Sequence, residues 1–248
     1  MQESEYGDVF FRKSRYVRGR LPAHRLDFVG KPDDFKVYDS PLQRISLPRN
    51  FKFELDEFRH LLTERRSRRR FSKEPMTLQE LSTLLKYTSG ITTDEFDDAG
   101  FNPRHVPSAG GLYPYETYVI ANNVDGLGKG LYHYNVPSHA LDLLKRGDLG
   151  PRIAAVCLDQ AMARQAAAVL AWTAVVSRSK WKYLQRCYRY IFMDLGHLGQ
   201  NFYLVAEALQ LAACTIGALY DDEGNELLGI DGIDESLAYI GVVGRRAG

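Results

Sequence analysis

Five arginines crowd into the nine residues Arg65-Arg66-Ser67-Arg68-Arg69-Arg70-Phe71-Ser72-Lys73, in a chain that is otherwise balanced at 32 basic and 31 acidic residues. A guanidinium grips a phosphate through two parallel charge-assisted bonds, and Ser67 adds a neutral donor. On residue types alone, a phosphate clip, a solvated charge run and a weak nucleic-acid patch all remain open. A second candidate is Pro107-Ser108-Ala109-Gly110-Gly111. Small residues there let backbone approach a neighbour closely while Ser108 hydrogen-bonds; a plain glycine turn ending at Pro114 is the alternative. A third is Lys182, between Trp181 and Tyr183. A lysine partly desolvated by aromatics can have its pKa lowered towards neutrality and act as a base, whereas a surface lysine at a helix start needs no such role.

The elements that must hold these groups can be read from periodicity. Leu55, Phe58, Leu61 and Leu62 recur at helical spacing just before the arginine cluster. Just after it, Thr77-Leu78-Gln79-Glu80 is a capping box that opens a helix burying Leu81, Leu84, Leu85 and Thr88. Glu116–Ala121 and Leu131–Tyr134 read as two strands of a hairpin around the turn Gly126–Gly130. That glycine run leads into a strand, so it is no dinucleotide fingerprint. Ala166–Val176 is a near-continuous apolar run, expected as a strand buried on both faces. The longest helix is expected from Arg186 to Leu209, striped by Ile191, Leu195, Leu198, Phe202, Val205 and Leu209. His197 falls within it and is read as a satisfied core histidine. Strands at Leu211–Leu219 and Leu237–Val243 follow, separated by a helical stretch around Glu223–Leu228. Helices and strands intersperse without βαβ alternation, which favours a layered α+β domain.

Length and composition bound the rest. A chain of 248 residues buries enough surface to stand without metal or disulfide. Its net charge of +1 argues against bulk attraction to nucleic acid or an anionic membrane. Cys157, Cys187 and Cys214 are unpaired in spacing and sit among apolar neighbours, so they are expected as buried packing residues and not as zinc ligands. No metal site is expected. No run approaches the ~20 apolar residues of a membrane span, and a cytoplasmic protein is expected. Residues 1–50 carry no sustained period and are expected as an extended arm over a surface, ahead of a domain at 51–248.

Taken together, these segments resemble the nitroreductase family. Arg-x-Ser-x-Arg-x-Phe between two helices is similar to the motif that opens those domains. By resemblance, Arg65, Arg66 and Ser67 would hold the phosphate and ribityl chain of FMN, and Arg69 would approach the flavin pyrimidine edge. A cation there stabilises the charge of the reduced ring. Arg68 and Arg70 receive no role and are expected in solvent. Pro107, Ser108, Ala109 and Gly110 resemble the family's flavin-site loop. Ala213-Cys214-Thr215-Ile216-Gly217-Ala218 resembles the strand end beside the flavin, with Ile216 and Gly217 at the ring and Gly217 leaving space. Val243-Gly244-Arg245-Arg246 resembles the family's C-terminal ending, whose basic residue returns to the phosphate. The pattern does not choose between Arg245 and Arg246. The resemblance implies an α+β, nitroreductase-like layered fold with a central mixed or antiparallel sheet flanked by helices, working as a homodimer with FMN at the interface.

The stretch Trp181 to Tyr190, followed by Asp194-Leu195-Gly196-His197, resembles the SagB-type branch, with Leu184 where that branch carries glycine. Such enzymes oxidise azoline rings of modified peptides to azoles, passing a hydride to FMN and a proton to a base. The resemblance therefore implies Lys182 and Tyr183 as proton-handling catalytic residues and a peptide or small heterocycle as substrate. Two other readings stay open: an NAD(P)H-dependent reductase of nitroaromatics or quinones, with the nicotinamide a transient donor stacked on flavin, and a flavin-free binding or scaffold protein of the same fold.

Overall fold

The computed structural model describes residues 6–20, 56–92 and 103–247. Helix α1 spans Tyr6–Lys13 and α2 spans Asp56–Glu64; Leu55 and residues 21–50 of the expected arm lie outside the described residues. Strand β1, Met76–Thr77, runs straight into α3, Leu78–Ser89. The expected capping box is formed: Thr77 accepts from the Glu80 backbone N–H, and the Glu80 side chain accepts from the Thr77 backbone N–H.

Six strands build the main sheet: β2 (Tyr115–Ala121), β4 (Gly130–Asn135), β5 (Ala140–Arg146), β6 (Ala168–Val175), β7 (Leu211–Ile216) and β8 (Glu235–Arg245). Their order is β5-β4-β2-β6-β8-β7 and every pairing is antiparallel. The short β3, Val124–Asp125, pairs in parallel with β1. Helices α4 (Gly150–Val156), α5 (Met162–Gln165), α6 (Val176–Tyr183), α7 (Cys187–Ala208) and α8 (Asp221–Leu228) complete the layers.

The expected α+β architecture is therefore present, with a purely antiparallel main sheet. Strand β6 sits between β2 and β8, and its unbroken apolar run is buried on both faces. On one face Leu170 and Trp172 join Leu84 of α3 and Leu198 and Phe202 of α7. On the other, Val169 and Ala171 join Ile153 of α4 and Leu227 of α8. The three cysteines are free and buried, as expected.

Two glycines let helix α7 lie close on the sheet. A Cβ at Gly199 would stand 2.7 Å from the Tyr239 ring, and one at Gly241 of β8 would stand 2.9 Å from the Phe202 ring of α7. Phe202, fully buried and edge-on to Trp172, anchors the contact; its truncation to alanine would cost about 3–5 kcal/mol.

Three expectations are corrected. Residues 6–13 of the arm are helical and dock on their own chain, because Asp8 and the apolar Phe11 find partners on α6 and α7. His197 is exposed, because the apolar stripe of α7 faces away from it. Lys182 ends a helix, α6, that periodicity did not indicate, and does not begin one.

Candidate functional site

Two clusters of the candidate residues form, on different flanks of α7. The first gathers the arginine segment and the ends of β7 and β8. Ser67 Oγ lies 3.0 Å from Tyr203 Oη of α7. The same hydroxyl accepts the Thr215 backbone N–H at 2.9 Å, and Tyr239 Oη donates to Thr215 Oγ1 at 2.7 Å. The Arg65 guanidinium lies over the Tyr203 ring, 5.2 Å from its centre. A cleft of about 370 Å³ opens beside Ser67, lined by Arg68, Arg69, Arg70, Ala212, Arg246 and Ala247.

This cleft is held open by a buried acid. Glu207, with its side chain only 4% exposed, pairs with Arg68 through one oxygen and with Arg246 through the other at 2.7 Å. The Arg68 backbone N–H also donates to Ala213 O at 2.8 Å, tying the segment to β7. Arg68, expected in solvent, is thus a structural partner of Glu207; the carboxylate thirteen residues past Asp194 gave no sequence signal for the pairing.

The cleft sorts the other candidates. Arg69 is exposed and, among the described residues, hydrogen-bonds only Ser67 O, at 3.3 Å. Arg70 is exposed as expected. Arg66 folds back on Thr63 O and Arg65 O at the end of α2 and does not line the cleft. Neighbours on a strand point to opposite faces, and this separates the two terminal arginines. Arg246 enters the cleft, whereas Arg245 pairs with Glu80 at 2.7 Å on the far side. Ile216 is buried, leaving only its backbone to offer, while nothing lies within 4 Å of a Cβ placed on Gly217.

The second cluster joins the glycine loop to the end of α6. Ser108 Oγ donates to Asp194 Oδ2 at 2.5 Å and accepts the Tyr113 backbone N–H at 2.9 Å. The Ala109 N–H also points at Asp194, 3.2 Å from Oδ1. Burial raises the Asp194 carboxyl above its ordinary value, and the Ser108 and Ala109 donors pull it back. Pro107 is exposed at the loop's entry. Gly110 has a φ of 65°, and a Cβ there would stand 2.6 Å from Tyr183 Oη and 2.8 Å from Lys182 Nζ. The positive φ favours glycine, and the two side-chain tips lie against the loop at this point. Asp194 appeared in the sequence only as part of a motif; its function as the loop's anchor comes from the fold.

Lys182 itself is exposed, with Nζ 5.5 Å from the Tyr183 ring centre. The desolvation expected of it is absent among the described residues. Exposed apolar side chains neighbour it in the chain: Trp181 at 73% and Leu184 at 72%. Leu184 has a φ of 48° and a ψ of −136°, a backbone conformation that suits glycine. Among the described residues no helix is long and apolar enough to cross a membrane, and no group of His, Cys, Asp or Glu could hold a metal ion.

An antiparallel sheet layered by helices carries a basic cleft at one strand end and a glycine loop beside a Lys-Tyr pair. The nitroreductase family model matches residues 62–245, and the chain belongs to that family of FMN-dependent oxidoreductases. It is 37% identical over 186 residues to MJ1384 of Methanocaldococcus jannaschii, a protein named after the same family, covering 75% of this chain and 89% of that one. It is 29% identical over 178 residues to the trifolitoxin-processing protein TfxB of Rhizobium leguminosarum bv. trifolii, covering 69% of this chain but only 48% of TfxB. Among solved structures it is similar to a chain of the E. coli microcin synthetase McbBCD complex with truncated pro-MccB17 bound. The TM-score is 0.70 at 22% identity, covering 96% of this chain and 86% of that one.

Proposed function

We propose that the chain is a cytoplasmic SagB-type dehydrogenase that removes two hydrogens from an azoline ring in a peptide or small heterocycle. The observation that carries this reading is Gly110, whose missing side chain leaves room for Tyr183 Oη and Lys182 Nζ against the glycine loop. A loop that resembles the family's flavin-site loop thereby lies against two residues of the stretch that resembles the branch. The similarity to TfxB, named a trifolitoxin-processing protein, and the shared fold with a chain of a microcin synthetase complex support the same direction.

The residues present fit FMN. Ser67, Arg69 and Arg246 around the cleft suit a phosphate, with Arg65 behind them on Tyr203. The open space at Gly217 suits a flat ring at the strand end. FMN, when bound, supplies the acceptor for a hydride. The chain's own part is to take the accompanying proton at Lys182 Nζ, with Tyr183 Oη beside it, and to hold the loop through Asp194. Arg66 and Arg245 take no part in this reading.

The site also asks for a second copy. Asp194 and Tyr203 are nine residues apart on α7, which is about 13.5 Å and about 180° around the helix. A cofactor resting on Ser67 and Tyr203 therefore cannot also rest on the Ser108–Gly110 loop of its own chain without crossing α7. In a homodimer packed through the outward face of α7, where Phe192 and Met193 are exposed, one copy's cleft meets the other's loop. That packing also covers Lys182, supplying the desolvation a base needs.

Mass spectrometry of an azoline-bearing peptide tests the reading: wild type should remove two hydrogens, and Lys182→Ala should not, while still holding FMN. An unimpaired Lys182→Ala variant refutes the assigned base. The exposure of Lys182 and the identity to MJ1384 favour a second reading, an NAD(P)H-dependent nitro or quinone reductase. Rapid bleaching of the flavin by NADH or NADPH without oxygen would select it.

A further inference from the structure

Leu184 breaks the chain direction between α6 and α7 in a conformation disfavoured for any residue with a Cβ, and it does so one residue after Tyr183. Something must hold that turn, because left alone it relaxes towards ordinary dihedrals. The neighbours that could do so converge on one carboxylate. Lys180 Nζ, before the turn, donates to both oxygens of Asp8 at 2.9 Å. Gln185 Nε2, after the turn, donates to Asp8 Oδ2 at 2.6 Å, and Tyr188 Oη donates to Oδ1. The Asp8 backbone N–H returns a bond to Gln185 Oε1 at 3.1 Å. Beside it Gly7 is pressed so tightly that a Cβ would stand 2.7 Å from the Tyr188 ring and 2.8 Å from Gln185 O. Burial acts to raise the Asp8 carboxyl, but these donors hold it below its ordinary value, so it stays charged.

Helix α1 does not arrive there by chance. Downstream of it Arg15 pairs with Asp222 at 2.8 Å and bonds Gly232 O, while Arg18 pairs with Glu223 at 2.7 Å and stacks on Tyr220 at 4.2 Å. The segment is moored downstream by Arg15 and Arg18, and the Asp8 carboxylate is held across the strained turn.

We propose that Asp8 is a positioning residue for the Lys182–Tyr183 pair. By tying Lys180 to Gln185 and Tyr188 it clamps the Leu184 turn and sets both side chains against Gly110. The residue has no direct part in proton transfer, and its importance for catalysis rests on the dehydrogenase reading above.

The test uses full-length, FMN-loaded protein with Asp8→Ala, Leu184→Gly and the double variant. Amide hydrogen exchange supplies a readout independent of turnover. Asp8→Ala should speed exchange across residues 180–188 about tenfold, the loss of one or two charge-assisted bonds, while β6 stays protected. Its kcat for azoline oxidation should fall by a similar factor, with KM little changed. Adding Leu184→Gly, which removes the strain the clamp opposes, should recover much of both losses. Unchanged exchange in Asp8→Ala, an equal rise in β6, or a double variant no better than Asp8→Ala would each overturn the proposal. If wild type leaves azolines untouched, the dehydrogenase reading falls, and the exchange data alone then judge the clamp.

Discussion

Complementation between two inactive variants should restore activity if the site is shared between chains. The perturbation is a pair of proteins, one with Ser67→Ala and Arg69→Ala at the cleft, the other with Lys182→Ala at the loop. Tyr203 carries Ser67 on one side of α7, and Asp194 carries the loop on the other, about 180° and about 13.5 Å away. In a mixed dimer one site then combines both lesions and the other combines none. Random reassociation at equal amounts makes half of the dimers mixed, each with one of two sites intact, so about a quarter of wild-type activity should return. The assay is azoline oxidation after the two variants are mixed, partly unfolded and refolded together, with each variant treated alone as the control. Recovery to about a quarter supports a composite site; no recovery above the controls, with mixed dimers present, would refute the two-flank reasoning.

Other outcomes follow from single residues. Gly110→Ala should lower turnover without releasing FMN, since its Cβ strains a φ of 65° and pushes Tyr183 Oη and Lys182 Nζ aside; flavin content and turnover measured side by side check this. Glu207→Ala leaves Arg68 and Arg246 without their buried partner and should cost about 3 kcal/mol or more, read by denaturant melts. His133 and Glu116, 2.9 Å apart, predict a pH dependence. The bond to Glu116 raises the His133 pKa above 6.5, so its contribution is complete below 6.5 and is lost as pH rises through the higher folded value. Burial acts to raise Glu116, yet His133 and Arg178 bring it below 4.5, so its contribution holds above 4.5 and is lost as pH falls through the folded value. Glu116→Gln should therefore lower the melting temperature more at pH 6 than at pH 9; an equal drop at both would remove the pair from the stability account.

Much of the scaffold was legible because its signals are local. Thr77 and Glu80 satisfy each other within one turn, the apolar run of β6 leaves no face for water, and the stripe of α7 repeats over many turns. Elements without a buried stripe escaped. Helix α6 buries only Val176 and Ser179, so no period marks it. Strand β5 is exposed along nearly its whole length and shows no alternation. His197 was recoverable: at 100° per residue it stands well away from Leu195, Leu198 and Phe202, and its exposure follows. In the site, residue types named the arginine segment, the glycine loop and Lys182–Tyr183. Long-range partners decided the geometry: Glu207 drew Arg68 out of solvent, Glu80 claimed Arg245, and Asp194 fixed the loop. A carboxylate many residues away leaves no local pattern in the chain that receives it.

The most direct measurement is the visible spectrum of the purified protein, followed by identification of what denaturation releases. A yellow protein that yields about one FMN per chain, and a colourless Ser67→Ala, Arg69→Ala variant that remains folded, is the predicted result. A colourless wild type that takes up no FMN when it is supplied would contradict the account at its base.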